Sequence, residues 1–319
     1  LLGDTTPYFY KTEDFGKSWK LLSTATNGIP SDYTSKVLRE DPETAGLLYA
    51  GTEYGMFVSF DDGENWKIFQ QNLPVTPITD IIINRGDLVL STMGRGFWIL
   101  DNITSLRNPD IVSLNDKVVL FKPDNTIRYN TPRSSGDFPN YPSTSAIIDY
   151  YLPKDYKKDV ELEILNSNNE SIVTILSDST LLKSTSEEVE DMGLSMTFSY
   201  NDPKLETKKG LNRFHWDLNQ KGAWSDKKSR SYKNGPMVPP GLYTVKLTAG
   251  NETAEQSFEV LIDPRLESEG VTSTTIKEQL ILENEVLDLL TEARKLQASL
   301  ESDIKKAQGS KKSDLELLL

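Results

Sequence analysis

The chain carries 48 acidic residues against 35 basic ones, so carboxylate chemistry comes first. Glycoside hydrolysis needs two carboxyl groups about 5–10 Å apart across a cleft, one to protonate the leaving oxygen and one to attack or to activate water. Asp14 in "KTEDFGKSW" and the pair Asp61 and Asp62 in "SFDDGENW" are acids at matching places in two near-copies of one stretch. The single histidine, His215, stands between Phe214 and Trp216 with no Asp, Cys or Ser partner in a motif. It reads as a packing or edge residue of a strand. No phosphate loop, nucleophile elbow or metal-ligand spacing occurs, and "KPDNTIRYN" matches no calcium loop. The absence of cysteine removes disulfides, zinc–thiolate sites and cysteine nucleophiles together. No catalytic residue, cofactor or metal is therefore assigned.

The elements that hold these acids explain their spacing. Thr12, Asp14, Gly16 and Trp19 align with Ser59, Asp61, Gly63 and Trp66, and Trp66 follows Trp19 by 47 residues. Periods of about 40–50 residues suit propeller blades. Aromatic and β-branched strand residues precede each copy ("PYFYKT", "LLYAGTEYGMFVSF"). Within the motif an Asp side chain bonds backbone N–H groups further on, Gly accepts a positive φ, and Trp opens the next strand. Each copy is thus a self-capping hairpin turn, and its acids serve folding.

These turns resemble the Asp-boxes of bacterial neuraminidase repeats, propeller glycosidases and sortilin-type receptors. The resemblance implies that each box joins the third and fourth strands of a blade, on the face opposite the ligand mouth. "LLYAGT" is then a second strand, "EYG" a tight turn, "MFVSF" a third strand and "NWKIF" the outer fourth. "TPITDIII", "DLVLST" and "FWILDN" follow as the next blade, in which Asp101 aligns with Asp61 at an offset of 40 residues and the box decays. The mouth is formed by turns between second and third strands, which places Glu53, Tyr54 and Arg95 there as a candidate ligand patch; a surface ion pair between Glu53 and Arg95 is the simpler use of those two. A sialidase arginine trio is not recognisable among Arg39, Arg85, Arg95 and Arg107. About two and a half blades fall within residues 1–107, whereas closure takes typically four to eight. The chain is accordingly expected to be the C-terminal part of a longer polypeptide, or to complete its propeller with a partner chain.

Residues 108–144 read as a connector with strand pieces ("KVVLFKP") and a polar loop. Residues 145–266 follow as an antiparallel sandwich that includes a hairpin around "NSNNES". "GLNRFHWDL" and "VPPGLYTVKL" are similar to the small Ig-like or fibronectin-III-like modules of exported bacterial proteins, in which the Trp strand packs on the Pro-Gly-x-Tyr strand. A helical tail, expected to be a truncated hairpin, occupies 270–319: Thr275 to Glu278 reads as a capping box, and Ile276, Leu280, Leu287, Leu290 and Ala293 recur roughly at helical spacing. That helix should run to about 307, and a second should start near Lys311.

The expected fold class is therefore mainly β: a partial propeller, a sandwich and a helical segment, in an order similar to large bacterial exported proteins with sortilin-like repeats. The net charge of −13 argues against non-specific nucleic-acid binding, which depends on cationic contacts with phosphate. No apolar run is long enough to span a bilayer. The reading is a non-catalytic extracytoplasmic binding or assembly protein, secreted, periplasmic or at the cell surface, that recognises a protein, peptide or glycan. The alternative is a propeller glycoside hydrolase whose carboxylates lie mostly in a region preceding this chain.

Overall fold

The computed structural model describes residues 3–24, 26–108, 114, 116–129, 145–177, 205–225 and 235–306. The expected polar loop of 130–144 and the expected second helix near Lys311 lie outside them. The fold is mainly β, with several sheets and one long C-terminal helix. It divides into a unit of residues 1–113 and a unit of residues 114–319.

In the first unit, β1 (Tyr10–Lys11) and β2 (Lys20–Leu21) form an antiparallel hairpin. Next comes a four-stranded antiparallel meander of β3 (Ser35–Glu40), β4 (Leu48–Thr52), β5 (Met56–Ser59) and β6 (Lys67–Ile68), in that spatial order. A three-stranded meander of β7 (Ile78–Asn84), β8 (Asp87–Thr92) and β9 (Phe97–Leu100) completes the unit. The strands expected from the two repeat segments occur in the expected order.

β4 and β5 are buried along their whole length, because the meander lies between two neighbours. Side chains of a strand alternate between its two faces. Leu48, Ala50 and Phe57, with Trp66, share a core with Phe9 and Leu22 from the hairpin segment. Tyr49, Met56 and Val58 share another with Ile78, Ile81, Leu88 and Leu90 of the following sheet. Gly51 permits that second approach: a Cβ there would meet the side chains of Val37 at 2.7 Å and Ile78 at 2.8 Å.

Strand register corrects one alignment. Leu48 pairs with Ser59 and Ala50 with Phe57, whereas Leu88 pairs with Leu100 and Leu90 with Trp98. Leu100, rather than Ile99, is thus the counterpart of Ser59, and the offset of 40 fails in β9. The cause is a longer turn: Thr52 N–H bonds the carbonyl of Gly55, while Thr92 N–H bonds that of Gly96.

In the second unit, one sheet has the order β10 (Val119–Leu120), β12 (Ala146–Leu152), β15 (Gly210–Trp216). The other has the order β11 (Thr126–Ile127), β17 (Glu252–Leu261), β16 (Gly241–Ala249), β13 (Val160–Leu165), β14 (Ser171–Leu176). β10 and β11 come from the segment read as a connector, and β11 runs parallel to β17. Both sheets contribute to one core. The Trp216 ring of β15 stands edge-on to Tyr243 of β16 and Phe258 of β17, with centroids 5.9 and 6.3 Å apart. The Tyr243 hydroxyl donates to the Pro239 carbonyl at 2.7 Å, and Asp149 receives a two-pronged bond from Arg213 on the paired strand. His215 lies exposed on the outer strand β15, with Nδ1 3.0 Å from the Ser145 hydroxyl.

Helix α1 (Pro264–Ser268) is capped by Asp263, and α2 spans Ser273–Lys306. α2 begins two residues before the expected capping box. Thr272 is the residue that caps: its hydroxyl accepts from Thr275 N–H at 3.2 Å and its carbonyl from Ile276 N–H. The five apolar residues at helical spacing do not share one environment. Ile276 is buried, Leu280 and Leu287 are half-buried, and Leu290 and Ala293 are exposed.

Candidate functional site

The two boxes are closed by the same network. In the first, Asp14 Oδ1 accepts from the Thr12 hydroxyl at 3.0 Å and from Ser18 N–H at 2.8 Å, and the Thr12 hydroxyl accepts from Gly16 N–H at 2.8 Å. In the second, Asp61 Oδ1 accepts from the Ser59 hydroxyl and from Asn65 N–H, both at 2.8 Å, and the Ser59 hydroxyl accepts from Gly63 N–H at 2.9 Å. Gly16 and Gly63 have φ values of 86° and 82°, a region that side chains disfavour. Both carboxyls sit below the ordinary aspartate range. For Asp14 the largest cause is the bond from the Ser18 side chain. For Asp61 burial pushes upward, but the Asn65 bonds and the Ser59 hydroxyl outweigh it. A carboxylate held ionised by several donors is a poor proton donor. The neighbouring Asp62 is engaged by Lys11 at 2.6 Å.

The two tryptophans differ. Trp66 is buried against the hairpin: its indole N–H donates to the Leu22 carbonyl at 2.9 Å, its backbone N–H donates to the Asn27 carbonyl at 2.7 Å, and its ring lies 6.1 Å from that of Phe9. Among the described residues the Trp19 indole bonds within its own turn, to the Gly16 carbonyl, and Trp19 is 61% exposed.

The expected ligand patch is distributed over two turns of successive sheets. Glu53 and Tyr54 occupy the β4–β5 turn, where Glu53 N–H bonds the Thr34 carbonyl. Arg95 occupies the β8–β9 turn, where Met93 N–H bonds the Pro77 carbonyl in the same manner. Met93 is thus the counterpart of Glu53, and Arg95 belongs to the longer turn. No Glu53–Arg95 pair forms among the described residues. Glu53 instead meets Lys36 at 2.6 Å. Lys36 falls at a bulge in β3, between Ser35 and Val37, and a bulge re-aims the side chain it carries. Arg39 bridges the two sheets by an ion pair to Asp80, at 2.7 Å.

Tyr54 is half-exposed and its ring rests 5.0 Å from that of Tyr33, which in turn meets Phe57 edge-on at 5.8 Å. Tyr33 and Lys36 were not legible as site residues; a bulge has no single-sequence signature, and Tyr33 lies in an irregular loop. Together these side chains make an aromatic cluster beside a carboxylate–ammonium pair.

A small cleft of about 60 Å³ lies among Met56, Phe69, Leu73, Leu90, Trp98 and Leu100. Small-molecule sites hold about 300–1,000 Å³, so this cleft is packing space between sheets. Among the described residues no three His, Asp or Glu side chains gather as metal ligands, and no helix is long and apolar enough to cross a membrane.

No family model and no curated protein matches the chain. Among solved structures it is similar to PorZ, described as an essential bacterial surface component of the type-IX secretion system of Porphyromonas gingivalis, with 10% identity and a TM-score of 0.20; the match covers 72% of this chain and 30% of that one. It is also similar to the extracellular domain of a putative hybrid two-component system from B. thetaiotaomicron, with 12% identity, a TM-score of 0.23 and coverage of 82% and 32%. This chain thus aligns with about a third of each neighbour. At TM-scores this low the likeness carries no functional argument.

Proposed function

We propose that the chain belongs to a non-catalytic, extracytoplasmic binding or assembly protein. Its first unit is a run of Asp-box propeller blades of the sortilin-like kind, and its second an Ig-like or fibronectin-III-like sandwich followed by a helical segment. The ligand is a protein, peptide or glycan received at the blade turns, with Tyr54 as platform and Glu53 and Arg95 at its margin. The observation that carries this reading is the engagement of the box acids: Asp14 and Asp61 are each held by hydroxyl and backbone donors of their own turn.

Incomplete stacking supports the propeller reading. Each interior sheet face of the first unit is covered by a neighbour, but Tyr10 and Trp19 at one end and Ile82, Phe97 and Ile99 at the other are exposed. Further blades, from the same polypeptide or a partner chain, would cover them.

A direct test applies the labelled protein to glycan and peptide arrays alongside Tyr54→Ser, with chromogenic glycosides assayed in parallel. The expected result is saturable binding that Tyr54→Ser weakens, without glycoside turnover. Glycoside turnover that survives purification would overturn the non-catalytic reading.

A further inference from the structure

Helix α2 carries two apolar stripes. One lies on the half-buried side, with Leu280 and Leu287, where Thr291 accepts from Trp224 N–H at 3.1 Å and Arg294 reaches the Ala223 carbonyl at 3.3 Å. The other consists of Leu282, Val286, Leu289, Ala293, Leu296 and Leu300. Its spacings alternate four and three, the 3.5-residue repeat of a coiled-coil seam. Leu282, Val286, Leu289 and Leu296 are 57–66% exposed. A helix apolar on opposite sides is normally covered on both, and a heptad seam is filled by another helix.

The charge beside the seam selects the kind of helix. Glu278, Glu285 and Glu292 recur every seven residues along one flank, all exposed, and among the described residues none of the three forms an ion pair. The opposite flank carries Glu283, Leu290 and Gln297. A second copy of α2 supplies no cation to this rail. Packed antiparallel it sets glutamate against glutamate, and packed parallel it sets Glu285 against Leu290 and Glu292 against Gln297. We propose that the outer face of α2 docks an amphipathic helix of another protein, with Leu-type residues at heptad spacing and Lys or Arg facing the glutamate rail. Opposite charges at these flanking positions set partner choice in coiled coils. This surface belongs to the second unit and stands independently of the ligand reading for the first.

The test uses the whole chain and two synthetic peptides of about four heptads, both with Leu at the seam positions, one with Lys and the other with Glu at every flanking position. Titration by calorimetry should show the Lys peptide binding with Kd of about 10 μM or below, at least about tenfold tighter than the Glu peptide. Leu289→Ser, an exposed change, should abolish binding. The triple substitution Glu278→Lys, Glu285→Lys, Glu292→Lys should reverse the preference. Equal binding of both peptides, binding of neither, or a preference that the triple substitution leaves unchanged would overturn the proposal. So would a chain that is dimeric by light scattering and becomes monomeric on Leu289→Ser, since the occupant would then be a second copy.

Discussion

The indole N–H of Trp66 donates to the backbone carbonyl of Leu22, 44 residues earlier, at 2.9 Å. One repeat thereby reads the backbone of the repeat before it. The neighbouring bond from Trp66 N–H to the Asn27 carbonyl, and Gly28, where a Cβ would fall 2.0 Å from the Trp66 carbonyl oxygen, fix the same contact. Trp66, one residue before β6, therefore fastens its repeat to the one before it.

Trp66→Ala should cost about 3–5 kcal/mol, the usual range for deleting a large buried aromatic side chain. The aligned change Trp19→Ala should stay within about 0.5 kcal/mol, since Trp19 is mostly exposed. Urea unfolding of the two variants, followed by a probe in the first unit, checks the difference.

Acid should weaken the boxes. The Asp61 carboxyl lies below its ordinary value of 3.8 in the folded chain, so the folded state favours the ionised form. The stability it contributes is complete above pH 4 or so and is lost as pH falls through the lowered folded value. Asp61→Asn should flatten that acid limb while costing stability at neutral pH, which melting temperatures measured from pH 7 down to pH 2 will show.

The buried ion pair between Asp41 and Arg107, at 3.0 Å, acts electrostatically on Tyr49, whose hydroxyl has no bonding partner among the described residues. Removing that hydroxyl with Tyr49→Phe should be neutral or slightly stabilising, because an unsatisfied buried polar atom is deleted. Arg107→Ala leaves the fully buried Asp41 carboxylate without its cation, and should cost about 3–5 kcal/mol. Chemical denaturation of both variants tests the contrast.

Alkali should act through tyrosines. Burial pushes the hydroxyls of Tyr49, Tyr150 and Tyr243 well above their ordinary value of 10.0. The unfolded chain ionises first, so stability is complete below pH 10 and declines as pH rises above it. Tyr150 and Tyr243 also donate to the carbonyls of Glu206 and Pro239, so their ionisation removes a bond. The tyrosinate absorbance contributed by these three should rise together with the loss of tertiary signal; their titration in a still-folded chain would contradict this.

What the sequence made legible was local chemistry. Asp14, Gly16, Asp61 and Gly63 could be read because a self-capping turn needs those residue types at fixed offsets. The strand order around them followed from the repeat and from turn residues. The longer β8–β9 turn was missed because "FVSFD" and "FWILD" look alike at an offset of 40, and only pairing register shows the extra residue. Lys36 as the partner of Glu53 depends on a bulge, and the exposure of Trp19 against the burial of Trp66 depends on what stacks on each sheet. The two turns share Asp, Gly and Trp at the same offsets, and what separates their tryptophans is their neighbours. On α2 the inward stripe was mixed with the outward one because Leu residues occur on both sides.

Trp66 fastens its repeat to the hairpin segment before it, whereas the Trp19 indole bonds the Gly16 carbonyl of its own turn and is exposed. Hydrogen exchange of the indole N–H groups, followed by NMR with the tryptophans assigned by substitution, tests it most directly. The Trp66 indole N–H should be strongly protected, while that of Trp19 should exchange at close to the rate of an exposed indole. Equal protection of the two, or a freely exchanging Trp66, would contradict it.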